Sequence, residues 1–283
     1  MRRVLLLMMA ALAVLTAAAD DDADVTALRP VHSAYLLEAG GSRLADTYLS
    51  PIPYEGIHFG FTYQRYQAMK FSPDRWTMSL TLRLGLDKTD NRARNSSMWD
   101  LSLTADWGMM RRYSINRWLT LAPGASTTLT GGAIYAAANS NNPVSAKASW
   151  TVNFTGLATA RFHIKRLPVT VTYRPTLPVV GAFFSPDYGE LYYEIYLGNS
   201  SGLAHAAWWD NYFLLDNLVT AQLEFGSTYL SVGYHGSIFS TRVNHLTTNI
   251  FTHSFVIGIA GEWLSLNPRK GITERARVIH ALY

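Results

Sequence analysis

The stretch WTMSLTLRLGLD, residues 76–87, alternates apolar and polar side chains without a break. Successive side chains of a β-strand point to opposite faces, so this segment has one apolar face and one polar face. The apolar face carries Trp76, Met78, Leu80, Leu82, Leu84 and Leu86, and the other face carries Thr77, Ser79, Thr81, Arg83, Gly85 and Asp87. The segment is therefore predicted to be a strand that separates an apolar from a polar environment.

The same period of two recurs along most of the chain. It is clear over residues 57–66, 99–109, 148–164 and 167–176, weaker over 255–263, and a stretch rich in Gly and Thr at 118–134 is also strand-like. An earlier strand is expected around Ser33 to Ala39. We predict about ten strands, within a range of eight to twelve, with both chain ends on the same side.

The connections between these strands alternate in length. Four are short, KFSPDR (70–75), MRRYSINR (110–117), HIKRLP (163–168) and FLLDN (213–217), and four are long, DKTDNRARNSS (87–97), YAAANSNNPVSAK (135–147), residues 179–202 and STRVNHLTTNIFT (240–252). Short periplasmic turns and long outer loops are typical of outer-membrane barrels. Gly226 marks either a bulge or a turn that adds strands, and the tail ending at Tyr283 is either the closing strand or a periplasmic extension.

The N-terminus has the features of a secretory signal peptide. Arg2 and Arg3 precede an apolar run over residues 4–15, and Ala17 to Ala19 precede an acidic run. This order predicts a signal peptide at residues 1–19 with cleavage after Ala19, followed by one barrel domain at residues 20–283. A transmembrane anchor is the alternative, but the run is shorter than the roughly 20 residues that a spanning helix needs.

Composition excludes several classes of protein. Hydrophobic residues make up 48% of the chain and charged residues 16%, below the roughly 25% of soluble domains. The absence of cysteine excludes disulfides and a lipoprotein anchor. Without Arg2 and Arg3, 22 basic residues remain from 24 against 20 acidic ones, a net charge of +2, which does not favour a nucleic-acid binder.

A soluble β-sandwich or a lipocalin-like barrel is the main alternative fold. In such a protein the apolar faces would point inward, and small polar residues would have to cover the outside of many strands. Tryptophans instead lie near the ends of the proposed spans, as in interfacial girdles: Trp76, Trp99, Trp107, Trp118, Trp150 and Trp263. We therefore predict an all-β, transmembrane, antiparallel up-and-down β-barrel in a bacterial outer membrane.

The sequence holds few signals of catalysis. His58 and His235 occupy inward positions, but the Asp-x-His pattern of an omptin-like protease does not occur. His253 and Ser254 are adjacent, so they point to opposite faces and cannot form the pair that a lipid hydrolase needs. No histidines have the spacing of metal ligands. We predict a protein that is not an enzyme and has no metal or cofactor; a membrane-embedded hydrolase acting through His58 or His235 is an alternative.

Charged residues on the inward face indicate a filled lumen. Both signs of charge occur there, and buried charges persist mainly when they are paired. The predicted lumen polar network consists of Arg83, Asp100, Asp106, Arg161 and Arg174. A barrel of about ten strands is too narrow for a wide aqueous channel, although a narrow solute or ligand conduit stays an alternative.

Aromatic residues are concentrated between residues 178 and 202. They include Phe184, Tyr188, Tyr192 and Tyr193, next to the acids Asp187, Glu190 and Glu194. This outer-loop aromatic surface is suited to a sugar or a partner protein, or it forms a lid on the barrel mouth. The partners expected are outer-membrane lipid, the barrel-assembly machinery and an extracellular ligand or protein at the outer loops, with no nucleic acid.

Three blocks resemble an uncharacterised family of exported bacterial proteins, the DUF3316 group. They are NSNNP (139–143), VVGAFFSPDYGELYYEIY (179–196) and NHLTTNIFTHSFVIG (244–258). The resemblance covers most of the mature chain and implies a Gram-negative host with an outer membrane. The family has no assigned activity, so the resemblance implies no functional residues.

Overall fold

The computed structural model describes residues 27–140, 142–187, 192–198, 202–226, 228–264 and 277–283. Within this part of the chain, ten long strands form one antiparallel sheet. They are β1 (Val31–Asp46), β2 (Tyr54–Ala68), β3 (Trp76–Asp90), β4 (Ser97–Arg111), β5 (Leu119–Ala136), β6 (Val144–Ile164), β7 (Leu167–Phe184), β8 (Tyr212–Phe225), β9 (Thr228–Val243) and β10 (Leu246–Trp263). The predicted signal peptide, residues 1–19, lies outside the described residues.

The sheet closes into a barrel. Each strand pairs with the next along the chain, and β10 pairs with β1 over the full length of β1. The predicted up-and-down barrel of ten strands is confirmed. Closure gives the backbone N–H and C=O groups of every long strand hydrogen-bond partners on both sides, which is the condition for a sheet to cross a bilayer.

The barrel is apolar outside and polar inside. The predicted alternation of β3 is confirmed, since Leu82, Leu84 and Leu86 are exposed on the outer surface while Thr81 and Asp87 are buried in the lumen. Other strands repeat the pattern, with Phe59, Phe61, Leu101, Leu103, Phe154 and Ile257 on the outside. This arrangement is the reverse of a water-soluble barrel and is that of an outer-membrane β-barrel.

Two of the predicted connections are wrong. FLLDN lies inside β8, which continues to Phe225, and Gly226 directly after it adopts a φ of +67°. STRVNHLTTNIFT is not a long loop, because β9 and β10 continue through it to a turn at Asn244 and His245, both with positive φ. Positive φ at both central residues is the geometry of a tight hairpin turn.

Strand length explains why the outer loops are shorter than predicted. The ten strands have 14 to 21 residues, whereas about 9–11 residues suffice to cross a bilayer. The strands therefore extend beyond the membrane into segments that the sequence alone suggests are loops. A long connection, residues 185–211, does join β7 to β8; it holds the short helix α1 (Tyr192–Tyr196). No helix among the described residues is long and apolar enough to cross a bilayer.

The C-terminal tail, residues 277–283, closes the end of the barrel that carries both chain ends. Arg277 and Val278 pair with Ala27 and Leu28. Ala281 and Leu282 are buried against inward side chains that include Tyr66 and Met110. The tail is thus not the closing strand, since β10 has that role. By the rule that short turns face the periplasm, this is the periplasmic end.

Two arginines hold the tail in place. Arg112, in the turn after β4, donates to the carbonyl oxygens of His280, Tyr283 and Pro73. The guanidinium of Arg161 lies 3.6 Å from the centre of the Tyr283 ring. Burial, together with the nearby charge of Glu262, raises the pKa of the Tyr283 phenol above its ordinary value.

Candidate functional site

An ion pair crosses the lumen at the middle of the barrel. Arg83 on β3 donates from Nη1 to Oδ2 of Asp216 on β8, at a distance of 2.6 Å. These strands lie five positions apart in a ring of ten, so they stand on opposite sides of the barrel. The pair therefore spans the lumen, and both side chains are largely buried.

His235 on β9 joins this pair to a second carboxylate. Its Nδ1 lies 2.6 Å from Oε2 of Glu38 on β1, and its Nε2 lies 2.9 Å from Oδ2 of Asp216. Carboxylates only accept hydrogen bonds, so both ring nitrogens act as donors and the ring carries a positive charge. Glu38 also accepts a hydrogen bond of 2.6 Å from Thr62. Two cations and two carboxylates thus form one connected cluster.

Three further pairs extend the charged layer around the lumen. His58 on β2 bonds through Nδ1 to Asp87 on β3. Arg174 on β7 pairs with Asp106 on β4, and its Nη1 donates to Thr81 at 2.7 Å. Lys147 on β6 pairs with Asp100 on β4. The His58–Asp87 contact joins neighbouring strands, and the contacts of Arg174 and Lys147 join strands two to four positions apart, so they connect the wall of the barrel across its interior.

The structure places four of the five predicted network residues in this layer: Arg83, Asp100, Asp106 and Arg174. Arg161 lies outside it. Its position is on the inward register, but β6 has reached the periplasmic rim there, and the exposed side chain stacks on Tyr283 instead of facing the lumen charges.

Sequence reasoning missed Glu38, Lys147 and Asp216, which complete three of the pairs. Asp216 and Lys147 fall in segments that were predicted to be connections, and Glu38 in a strand that was located without its register. All three occupy inward positions of observed strands. Correct strand bounds would have identified these three residues, because alternation alone then places each carboxylate or amine in the lumen.

A cavity of about 170 Å³ lies on the outer side of the charged layer. Arg83, His58 and Asp216 line its lower part, and hydroxyl side chains such as Ser102, Thr104 and Thr130 line its wall. Near the mouth the lining becomes aromatic, with Tyr48, Phe183, Phe184, Tyr212 and Phe239. The cavity therefore passes from a charged floor to an aromatic rim.

A bulge in β7 turns Phe183 into the lumen. Val152 pairs with Val180 and Asn153 with Pro178, so Val179 is left as an extra residue. The extra residue shifts the alternation of β7 by one position. Phe183 consequently faces inward, is 5% exposed, and packs against Tyr212 with ring centres 5.4 Å apart.

The outer loops cover part of the mouth. Leu49, in the connection between β1 and β2, is buried against Met98 and Ile134. Asp46 at the end of β1 accepts a hydrogen bond of 3.1 Å from Ser145 at the start of β6, on the opposite side of the ring. These contacts narrow the mouth.

The outer-loop aromatic residues are divided between this cover and the surface. Tyr192 stacks on Phe184 with ring centres 6.4 Å apart, and its hydroxyl accepts a hydrogen bond of 2.6 Å from the Ala146 amide. Tyr193 is 65% exposed, and Tyr188 lies outside the described residues. Phe184 and Tyr192 therefore act as a lid over the cavity, and Tyr193 faces solvent.

Comparison with known proteins gives a family match over most of the chain. The profile of the family described as "Protein of unknown function (DUF3316)" matches residues 4–270, which confirms the resemblance seen in the sequence. No curated protein matches the chain.

Several solved outer-membrane barrels are similar to the chain at low identity. The outer membrane protease OmpT from Escherichia coli is 6% identical over 83% of this chain and 97% of its own, with a TM-score of 0.46. The translocator domain of the autotransporter NalP from Neisseria meningitidis is 13% identical over 86% and 90%, with a TM-score of 0.37. The COG4313 outer membrane channel from Pseudomonas putida F1 is 11% identical over 86% and 100%, with a TM-score of 0.35. Similarity at this level has no bearing on activity or substrate.

Proposed function

The chain belongs to the DUF3316 family, whose function is unknown, and from its architecture we propose that it is a closed, non-enzymatic outer-membrane barrel that acts through its outer mouth. The observation that carries this proposal is the Arg83–Asp216 pair across the lumen. The C-terminal tail adds a second barrier at the periplasmic end. The cavity above both barriers extends to the outer end of the barrel.

The pairing of His235 supports a non-enzymatic role. A general base needs a ring nitrogen with a free lone pair. His235 uses both of its nitrogens on carboxylates, and His58 lies between Asp87 and Glu38, with its Nε2 3.9 Å from the Glu38 carboxylate. His235 therefore acts as a fixed cation within the ion-pair cluster, which disfavours a hydrolase that acts through His235. Nε2 of His58 has no hydrogen-bond partner among the described residues, so a hydrolase that acts through His58 is not disfavoured on this ground.

We also propose a route to the membrane. Arg2 and Arg3 before the apolar run, and Ala17 to Ala19 after it, favour Sec-type export with cleavage after Ala19. The barrel-assembly machinery of a Gram-negative host would then insert the chain, and the apolar outer face would contact outer-membrane lipid. The outer loops would meet extracellular ligands or proteins.

Planar-bilayer recording tests whether the lumen is closed. We expect the purified full-length protein to insert without stepwise conductance, because the ion-pair layer blocks the path of water and ions. A variant that lacks residues 277–283 loses only the periplasmic barrier, so it is expected to stay silent as well. An established porin, reconstituted in the same lipid, serves as the positive control. Reproducible stepwise conductance by the full-length protein would favour the narrow conduit and contradict the proposal.

A further inference from the structure

We propose that the outer cavity is a binding site for one neutral sugar ring, so that the barrel acts as a saccharide receptor. The inference rests on the proposed function, since it assigns a ligand class to the outer mouth. Its grounds are the size of the cavity, the polar groups that line it, their balance of charge and the aromatic rim.

The size of the cavity suits a single six-membered ring. Its volume is about 170 Å³, and a protein cavity of about 150 Å³ is known to hold a benzene-sized ligand. The lining runs from Arg83 at the middle of the barrel to Ser185 and Pro186 in the outer loop. A ligand would therefore enter from outside the cell and stop at the charged floor.

Two guanidinium groups among the described residues that line the cavity have buried donors without a hydrogen-bond acceptor. Among the described residues, Nη2 of Arg83 and Nε of Arg174 find no hydrogen-bond acceptor, although Arg174 is only 4% exposed. Both residues line the cavity, and so do the carboxylates of Asp87 and Asp100. A sugar hydroxyl both donates and accepts, so it can bond to a guanidinium and a carboxylate at the same time.

The balance of charge favours a neutral ligand. Six carboxylates surround the lumen: Glu38, Asp46, Asp87, Asp100, Asp106 and Asp216. Five basic groups pair with five of these carboxylates: His58, Arg83, Lys147, Arg174 and His235. The sixth, Asp46, accepts hydrogen bonds from Ser145, Thr248 and the Tyr48 amide instead. A cationic or anionic ligand would have to displace one of these partners, and a buried charge without its partner is costly. A neutral polyhydroxylated ring can use the free donors and acceptors and leave the ion pairs intact.

The aromatic rim provides the apolar surface that the carbon-bound hydrogens of a sugar ring need. Phe183, Tyr212 and Phe239 form a row, with ring centres 5.4 and 5.5 Å apart. Phe184 also lines the cavity and stacks under Tyr192 of the lid. A few directional polar groups next to aromatic walls are typical of small-molecule sites.

Saturation-transfer NMR tests this inference on the full-length protein in a sugar-free detergent. The probes are D-glucose, D-galactose, D-mannose and N-acetyl-D-glucosamine, with acetate and methylammonium as charged probes. We expect saturation transfer to the ring protons of at least one sugar and none to the charged probes. Thr130→Trp fills the cavity and is expected to reduce the signal at least tenfold. Leu129→Trp places the same ring at the neighbouring, lipid-facing position, and this variant is expected to keep the saturation-transfer signal of the wild type.

Phe184→Ala provides a second variant in case Thr130→Trp does not fold. It removes one aromatic wall and leaves the ion pairs in place, so we expect the affinity to fall by about threefold to tenfold. The inference is overturned if no sugar binds, if the signal is the same in the wild type, Thr130→Trp and Phe184→Ala, or if only a charged probe binds. A barrel that is silent in bilayer recording but binds none of the sugars would contradict this inference alone, whereas a conducting barrel would contradict the proposed function.

Discussion

Replacing Asp216 with alanine is expected to lower the free energy of unfolding by about 3–5 kcal/mol, as is usual when one partner of a buried ion pair is removed. The substitution leaves Arg83 and His235 with Glu38 as their remaining carboxylate partner in the cluster. Two buried cations would then share one counter-charge. Urea-induced unfolding in lipid vesicles, followed by tryptophan fluorescence, would measure the loss.

A double-mutant cycle separates the ion pair from simple loss of packing. Arg83→Met keeps most of the side-chain volume but leaves Asp216 with His235 as its remaining cationic partner in the cluster, so it is also expected to destabilise the barrel. The combination of Arg83→Met with Asp216→Leu removes both charges, and it is expected to cost less than the sum of the single changes, because an apolar replacement of a buried pair is often neutral. The cycle thus measures the coupling between the two residues.

An exposed ion pair supplies the control for this cycle. Arg43 and Glu55 lie 3.5 Å apart, with side chains 60% and 71% exposed. Surface pairs contribute little, so Arg43→Met is expected to change the free energy of unfolding by less than about 1 kcal/mol. Additive effects of the two lumen changes, each as small as that of Arg43→Met, would contradict the cross-lumen network.

The alternation of side chains was sufficient to predict the architecture of this barrel. Residues 76–87 already assign Leu82 and Leu84 to one environment and Arg83 to the other, and the structure has this arrangement. Such a pattern is reliable because a strand that faces lipid on one side must keep its phase over many residues. The up-and-down order and a count of about ten strands follow from these segments, whereas the bounds of β8 and the turn at Gly226 do not.

The partners of the lumen charges could not be predicted in the same way. Arg83 and Asp216 are 133 residues apart in the chain and meet only because β3 and β8 stand on opposite sides of a closed ring. Alternation gives the direction of each side chain, but it gives neither its height in the barrel nor the strand opposite. Arg161 illustrates the limit, since its register is inward but its height places it at the rim beside Tyr283.

Replacing Leu103 with arginine is expected to destabilise the barrel by about 2–4 kcal/mol, the cost of an arginine facing lipid near the middle of a bilayer. Leu103 lies near the centre of β4, is 57% exposed, and pairs with Leu84 of β3 and Gly131 of β5 on the outer face. Unfolding into the aqueous phase from phospholipid vesicles measures this cost directly, because the folded state alone contacts the hydrocarbon.

Met109→Arg is the matched control on the same strand. Met109 also faces outward, but it lies two residues from the end of β4, next to the native Arg111. Near the interface an arginine reaches the headgroups, so the expected cost falls to about 0–1 kcal/mol. Equal and small effects at both positions would show that water, not lipid, surrounds the middle of the barrel.

Spin-label accessibility along β4 tests most directly whether the apolar face contacts lipid and the polar face encloses the lumen. The chain has no native cysteine, so single cysteines at residues 101 to 104 can be labelled one at a time in vesicles. Labels at Leu101 and Leu103 are expected to be relaxed strongly by oxygen, which concentrates in hydrocarbon, and labels at Ser102 and Thr104 only weakly. Uniform oxygen accessibility over the four positions, or the opposite alternation, would contradict the account.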